Sequence, residues 1–296
     1  MPPPIPLSLN IIGAGRLGKT LGRLWHRRHS FEISGICNQT LQSARAAQTF
    51  IGAGEACASL ADLPAADCWL IATADDQIED VARQLGPLLP TDRTTPPMVF
   101  HCSGALPAAA LADCAPAQIA SAHPVHSFAE PAQSLETFTG STVALEGDSG
   151  ACEQLRQAFV QLGCKTLTLT APQKVLYHSG SVIACNYLTA LMDLSLQAFS
   201  GAGIDEKTAR ELLEPIVLQT ARNNFALGPG RALTGPIARG DSETVRKQLD
   251  ALTALRPLLA DNYRALGLAA VDLAQRTGLT NAQAQRLQAV LNQPSK

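Results

Sequence analysis

A chain of 296 residues is long enough for about two domains and a sizeable core. Its formal charge is −2 with no long run of one sign, so it shows no basic stripe and no nucleic-acid partner is expected. The eight cysteines are scattered without a C-x-x-C pair, and Met1-Pro2-Pro3-Pro4-Ile5-Pro6 lacks the basic and apolar regions of a secretory signal. Reduced thiols in a soluble cytoplasmic protein are therefore expected.

The first predicted strand, Leu7–Ile12, runs into Gly13-Ala14-Gly15-Arg16-Leu17-Gly18, and a helix follows with Leu17, Leu21 and Leu24 on one side. Strand, G-x-G-x-x-G and helix in that order form a dinucleotide-binding arrangement. Gly13 permits the tight turn, Gly15 lets a pyrophosphate approach the backbone, and Gly18 lets helix and sheet pack closely. The helix N-terminus offers free N–H groups to phosphates. His26-Arg27-Arg28-His29 falls at the other end of that helix, where cations suit the dipole.

Further strands are predicted at Phe31–Cys37, Cys68–Thr73, Met98–Cys102, Ile119–Ala122, Thr142–Glu146 and Lys165–Leu169, with helices such as Gln77–Leu89 and Gly150–Leu162 between them. This alternation implies a mostly parallel, doubly wound sheet. After Thr170-Ala171-Pro172 the strand-like runs stop. Helices are predicted at about 172–200, 205–226, 242–274 (with breaks near Pro257 and Leu266) and 280–292. Thr280 with Gln283 forms a capping box, and Asp241 or Ser242 can cap the preceding helix. The fold class is thus α/β: a Rossmann domain over 1–170 and an all-helical domain over 171–296. The most apolar helix contains Asn186 and Asp193, and no membrane span is expected.

After the second strand stands Cys37-Asn38-Gln39-Thr40, where an acidic residue would favour NAD. Neutral Asn38, Gln39 and Thr40, with charge from Arg16 or Arg45, favour NADP instead. Thr73-Ala74-Asp75-Asp76 ends a buried strand of the kind that lines a ligand crevice. Thr73, Ala74 and Asp75 are assigned to the cofactor, while one of the two carboxylates is expected to cap the helix near Gln77.

His101-Cys102-Ser103-Gly104-Ala105 and Ser121-Ala122-His123-Pro124-Val125-His126 both follow strands on the side of the glycine loop. His123, fixed by Pro124, suits either proton transfer or a structural hydrogen bond. Ser103 is a turn residue or a substrate contact. A zinc site from His123, His126 and His101 or Cys102 is a minor alternative, since no recognised ligand pattern is present. In the helical half, Lys174 and His178 share a face. Ser179, Asn186 and Asp193 recur every seven residues as a polar stripe, lining a cleft or bonding a neighbouring helix. Leu233-Thr234-Gly235-Pro236-Ile237-Ala238-Arg239-Gly240-Asp241 is a stiff connection with one cation.

With Tyr177-His178, Asn186-Tyr187, Leu233-Thr234-Gly235-Pro236 and Arg239-Gly240-Asp241 added to the glycine loop, Asp75-Asp76, His101 to Ala105 and His123-Pro124, the chain resembles a known family. It is similar to Rossmann-like proteins with an all-helical C-terminal domain of unknown function, provisionally assigned as NADP-dependent oxidoreductases. More distantly it is similar to pyrroline-carboxylate reductase, ketopantoate reductase, prephenate dehydrogenase and the 6-phosphogluconate dehydrogenase group. The resemblance implies hydride transfer between NADP(H) and a small oxo, hydroxy or imino substrate in the cleft between domains, and a homodimer through the helical domain. In the hydroxyacid-dehydrogenase branch a Lys and an Asn four residues later lie on the first long helix. Here His178 takes that Asn position after Lys174, and Asn186 comes later. His123 or His178 would exchange the proton, with Ser103 and Asn186 orienting the reacting group and Lys174 a further candidate. The alternative is an NADP-binding sensor or interaction protein without turnover, because fold does not fix function.

Overall fold

The computed structural model describes residues 6–90 and 94–293; the proline-rich start, residues 1–5, lies outside them. Two compact units are present, Met1–Ile183 and Ala184–Lys296. In the first, β1 (Leu7–Ile12), β2 (Phe31–Cys37), β3 (Glu55–Cys57), β4 (Cys68–Ile71), β5 (Met98–His101), β6 (Gln118–Val125), β7 (Thr142–Gly147) and β8 (Lys165–Thr168) form one sheet. Its strand order is β3-β2-β1-β4-β5-β6-β7-β8. Strands β3 to β6 across the first part run parallel, as expected. β7 pairs antiparallel to β6, and β8 follows β7 in parallel, so the far edge is reversed.

Helices α1 (Arg16–Arg28), α2 (Leu41–Ile51), α3 (Ile78–Leu85), α4 (Pro131–Thr137), α5 (Ser149–Gln161) and α6 (Lys174–Ser181) complete this unit. β1, β4 and β5 are covered on both faces and carry runs such as Cys68-Trp69-Leu70-Ile71, all buried. Trp25 of α1 anchors one face, its ring edge-on to Phe31, Phe100 and Phe159 at 5.2, 6.2 and 5.3 Å. The chain leaves β1 towards β2 on one side and returns as β4 on the other. That reversal of strand order is a switch point, and the glycine loop lies at its carboxyl end.

A π-helical turn, Val182–Asn186, links α6 to α7 (Tyr187–Gly201). The second unit continues with α8 (Glu206–Leu227), α9 (Pro229–Ala232), α10 (Ser242–Leu255), α11 (Pro257–Gln275) and α12 (Asn281–Leu291). Val245, Leu249, Ala260, Val271 and Leu287 form its core. The caps expected at Asp241 and Thr280 are present, each accepting a backbone N–H. The break at Pro257 occurs, since proline removes a helix donor; α11 runs unbroken through Leu266. The helical run Ala171–Gly201, 31 residues, contains an 18-residue window of mean hydropathy 1.3, long and apolar enough to cross a membrane by length and composition alone. Asn186 and Asp193 do not lower its mean hydropathy enough to prevent this.

Candidate active site

The glycine loop is built as its spacing requires. Gly13 has φ +82°, and a Cβ there would lie 2.7 Å from Thr73 Cγ2 and 2.8 Å from Thr73 N. At Gly15 a Cβ would meet only Gly13 O, at 3.9 Å, so this backbone faces open space. Gly18 lies against Ala72 and Ile11 at ordinary packing distance. The loop is tied to β2 by Gly13 N–H donating to Cys37 O (2.8 Å) and Ala14 N–H donating to Asn38 Oδ1 (2.7 Å). Gly15 is the N-cap of α1, with no side-chain cap and no acid in the first turn, which leaves the helix N-terminus open to an anion.

A cavity of about 610 Å³ opens over this loop. Gly13, Ala14, Gly15, Asn38, Gln39, Thr73 and Ala74 line it, and no carboxylate does among the described residues. Thr73 Oγ1 is buried there without a hydrogen-bond partner among the described residues. An open backbone, an orphaned hydroxyl and a helix N-terminus fit a dinucleotide phosphate. The other expected cofactor residues stand differently. Leu17 packs into the core. Thr40 uses its hydroxyl to cap α2, accepting from Ser43 N–H at 3.1 Å. Arg16 and Arg45 are exposed and do not line the cavity; Lys19, one turn into α1, is the cation that does.

Asp75 does not cap a helix. Ala74 caps the 3₁₀ turn Asp75–Gln77 and Gln77 precedes α3, neither through a side-chain bond. The Asp75 carboxylate instead accepts from Ser103 Oγ–H at 2.6 Å. Ser103 Oγ in turn accepts the N–H groups of Ala105 (3.2 Å) and Leu106 (3.0 Å). With three partners on one hydroxyl, Ser103 shapes the turn that carries Gly104.

His101 holds the same turn from beneath. Its Nε2–H donates to Pro107 O (3.1 Å) and its Nδ1 accepts Ser103 N–H (3.1 Å), which fixes a neutral tautomer. Burial lowers its pKa to about 4. Lys174, 1% exposed, donates from Nζ to Ser121 Oγ (2.6 Å) and Ser103 O (3.1 Å). Burial lowers its pKa, against a raising effect of Glu146, Cys102 and Asp75. Cys102 is pushed up to about 12 by burial and is inert.

Above the turn, His123 Nδ1 meets Tyr177 Oη at 2.9 Å. The rings of His123 and His178 stand edge-on, 5.3 Å between centroids. A Cβ at Gly104 would collide with His178 Nδ1 and come within 2.9 Å of His123 Nε2. His178 Nδ1 is buried without a hydrogen-bond partner among the described residues. Burial, then His178 and Lys174, lower the pKa of His123 to about 4, with Asp75 opposing. Of the residues named for the zinc alternative, His126 turns to Ser141 and Thr137 at 3.3 and 3.4 Å, and His101 to Pro107. No group of three metal-ligating side chains occurs among the described residues. Of the expected polar stripe, Ser179 bonds Val175 O and Asp193 accepts from Gln197, while Asn186 closes the π-turn, exposed, in the second unit.

Residues 141–270 match the family model described as a domain of unknown function (DUF2520). A Bacteroides fragilis protein provisionally assigned as an NADP oxidoreductase is 20% identical, with a TM-score of 0.77 over 90% of this chain and 98% of its own. A Thermotoga maritima protein is 24% identical, with a TM-score of 0.69 over 91% and 99%. The pyrroline-5-carboxylate reductase of Coxiella burnetii is 18% identical, with a TM-score of 0.55 over 92% and 98%. The fold is that of the Rossmann-plus-helical-domain oxidoreductases. No curated protein matches the sequence. On this Rossmann frame, sequence reasoning missed Lys19 and gave no role to Gly104 and Tyr177, which it named only within the motifs that carry the resemblance. The signal for Lys19 was its offset of one helical turn from Gly15, which puts both on the same end of α1. The contacts of Tyr177 with His123 and of Gly104 with His178 join segments more than fifty residues apart, and no local spacing predicts them.

Proposed function

We propose that the protein is an NADP(H)-dependent oxidoreductase acting on a small oxo, hydroxy or imino compound. The observation that carries this reading is the open glycine cradle with unpartnered Thr73 Oγ1 in its cavity, at the end of β4, next to β5 with its Ser103 turn and then β6, which carries His123. The N–H groups at the start of α1 and the bare backbone of Gly15 hold the pyrophosphate. Lys19 and Gln39 favour a 2′-phosphate, because among the described residues the cavity offers a cation and no carboxylate. The bound nicotinamide supplies or accepts the hydride. His123 and His178 exchange the proton, and Asp75, Ser103, His101 and Lys174 hold the turn beneath them.

The test is NADPH absorbance in the presence of a panel of ketones, imines and, with NADP, hydroxy acids and alcohols. Substrate-dependent change that disappears in His123→Gln supports the reading. Binding of NADPH without any such change across the panel favours a sensor.

The chain is also proposed to pair with a second copy through its helical unit. Leu212, Ile216 and Leu227 of α8 are 51%, 62% and 44% exposed and lie on one side of the helix, an apolar face of the sort that marks an interface. The same need for cover accounts for the apolar run 171–201 without a membrane. Light scattering on detergent-free protein is expected to give twice the chain mass; a monomer, or protein recovered only with membranes, contradicts this.

A further inference from the structure

The two histidines face each other across a residue with no side chain. His123 Nε2 and His178 Nδ1 both approach the position a Cβ on Gly104 would take. Among the described residues neither atom has a protein partner: His178 Nδ1 is buried and orphaned, and His123 bonds through its other nitrogen, to Tyr177. Orphaned buried nitrogen is costly, so a group that bonds both is favoured there.

Donor and acceptor counting, for a given pair of ring tautomers, says which group fits there. Tyr177 Oη lies on His123 Nδ1. If Nδ1 carries the hydrogen and donates to Oη, the Nε2 lone pair points towards Gly104 and accepts. If His178 carries its hydrogen on Nδ1, that atom donates. One acceptor and one donor converging on one atom match a hydroxyl, which donates once and accepts. An ammonium or protonated imine has no lone pair for His178. It would also stand near the buried Lys174 amine, which donates to the carbonyl of Ser103, the residue before Gly104.

We propose that His123 and His178 clamp the hydroxyl oxygen of an alcohol substrate over Gly104, with Tyr177 as the positioning residue that fixes the His123 tautomer. This rests on the oxidoreductase reading and narrows it to a hydroxy compound. In the oxidation, the O–H bond breaks and its proton passes to His123 Nε2. The C–H bond breaks with its electron pair passing as hydride to the oxidised nicotinamide, and the carbonyl π bond forms. The substrate is oxidised by two electrons and the nicotinamide reduced by two. The low pKa of His123 keeps Nε2 unprotonated at neutral pH, as a proton acceptor requires.

The experiment uses ¹⁵N-histidine-labelled protein loaded with NADPH, so that an added alcohol forms a complex that cannot turn over. Long-range ¹H–¹⁵N spectra report the tautomers, with signals assigned by their loss in His123→Gln and His178→Gln. The probes are 2-propanol and isopropylammonium at neutral pH. His123 is expected as the Nδ1–H tautomer. 2-Propanol is expected to move both ring signals saturably, and isopropylammonium to bind about tenfold more weakly, the worth of one lost hydrogen bond. Gly104→Ala is expected to abolish the alcohol response, and Tyr177→Phe to mix the His123 tautomers while the melting curve is retained. His123 as the Nε2–H tautomer overturns the clamp, as does equal or stronger binding of the ammonium, or no response to the alcohol. An unchanged tautomer in Tyr177→Phe overturns the role of Tyr177. Failure of NADPH itself to bind is a separate outcome, and removes the oxidoreductase reading with the clamp.

Discussion

Acid is expected to unfold the protein through His101. The ring is fully buried, with both nitrogens engaged, and its pKa falls from 6.5 to about 4 in the folded state. The unfolded chain therefore binds more protons than the folded one between those values. Stability is complete above 6.5, falls as pH drops through the window, and levels off below about 4. A tenfold difference in proton affinity between the two states is worth about 1.4 kcal/mol, so this ring alone accounts for a loss of about 2 kcal/mol by pH ~5. His123, depressed to a similar value, adds a contribution of the same sign. The assay is urea unfolding followed by far-ultraviolet circular dichroism across that range, for the native chain and His101→Gln. The variant is less stable at neutral pH, because Pro107 O and Ser103 N–H lose their partner. Its stability should nevertheless fall with acid less steeply, by about 1 kcal/mol per pH unit. An identical slope in both proteins would refute the assignment of His101 as a buried neutral ring.

Three further outcomes follow from the same contacts. Ser103→Ala leaves the N–H groups of Ala105 and Leu106 and the Asp75 carboxylate without their shared partner, and is expected to cost about 2 kcal/mol in urea unfolding; a change under about 0.5 kcal/mol contradicts it. Gly13→Ala places a Cβ against Thr73 at a positive φ, and is expected to cost about 2–4 kcal/mol by the same assay. Lys19→Gln removes the cation from the cavity and is expected to weaken NADP about tenfold or more in calorimetric titration while leaving NAD unchanged; equal effects on both assign Lys19 to the pyrophosphate instead.

The strands β1, β2 and β4 were legible because buried parallel strands are continuous apolar runs, and their bounds agree with the sequence reading to within two residues. β3 was missed because three residues, Glu55–Cys57, carry no periodicity. The reversal of β7 was also unreadable, since direction depends on how the chain crosses the sheet and not on local composition. Asp75 was misread for a related reason. A carboxylate just before a helix resembles a cap, but a short bond to Ser103, on the next strand's loop, wins over the helix N–H groups. His123 and His178 were both named from sequence, but only tertiary structure shows that they meet over Gly104. Thr40 and Ser103 illustrate the limit from the other side: Thr40 was picked as a ligand contact and Ser103 as either a turn residue or a substrate contact, and each spends its hydroxyl on a local backbone group.

The central claim is that the backbone at Gly15 receives a dinucleotide, and one comparison tests it most directly. NADPH is titrated calorimetrically into the native protein and into Gly15→Ala, and both are melted without ligand. A Cβ at Gly15 meets nothing of the protein closer than 3.9 Å, so the melting temperatures should agree within a few degrees. The native chain should bind one NADPH, and the variant at least about tenfold more weakly, because the methyl group occupies the path of the pyrophosphate. Equal affinity in a variant that melts with the native protein would contradict the account, as would no binding to either.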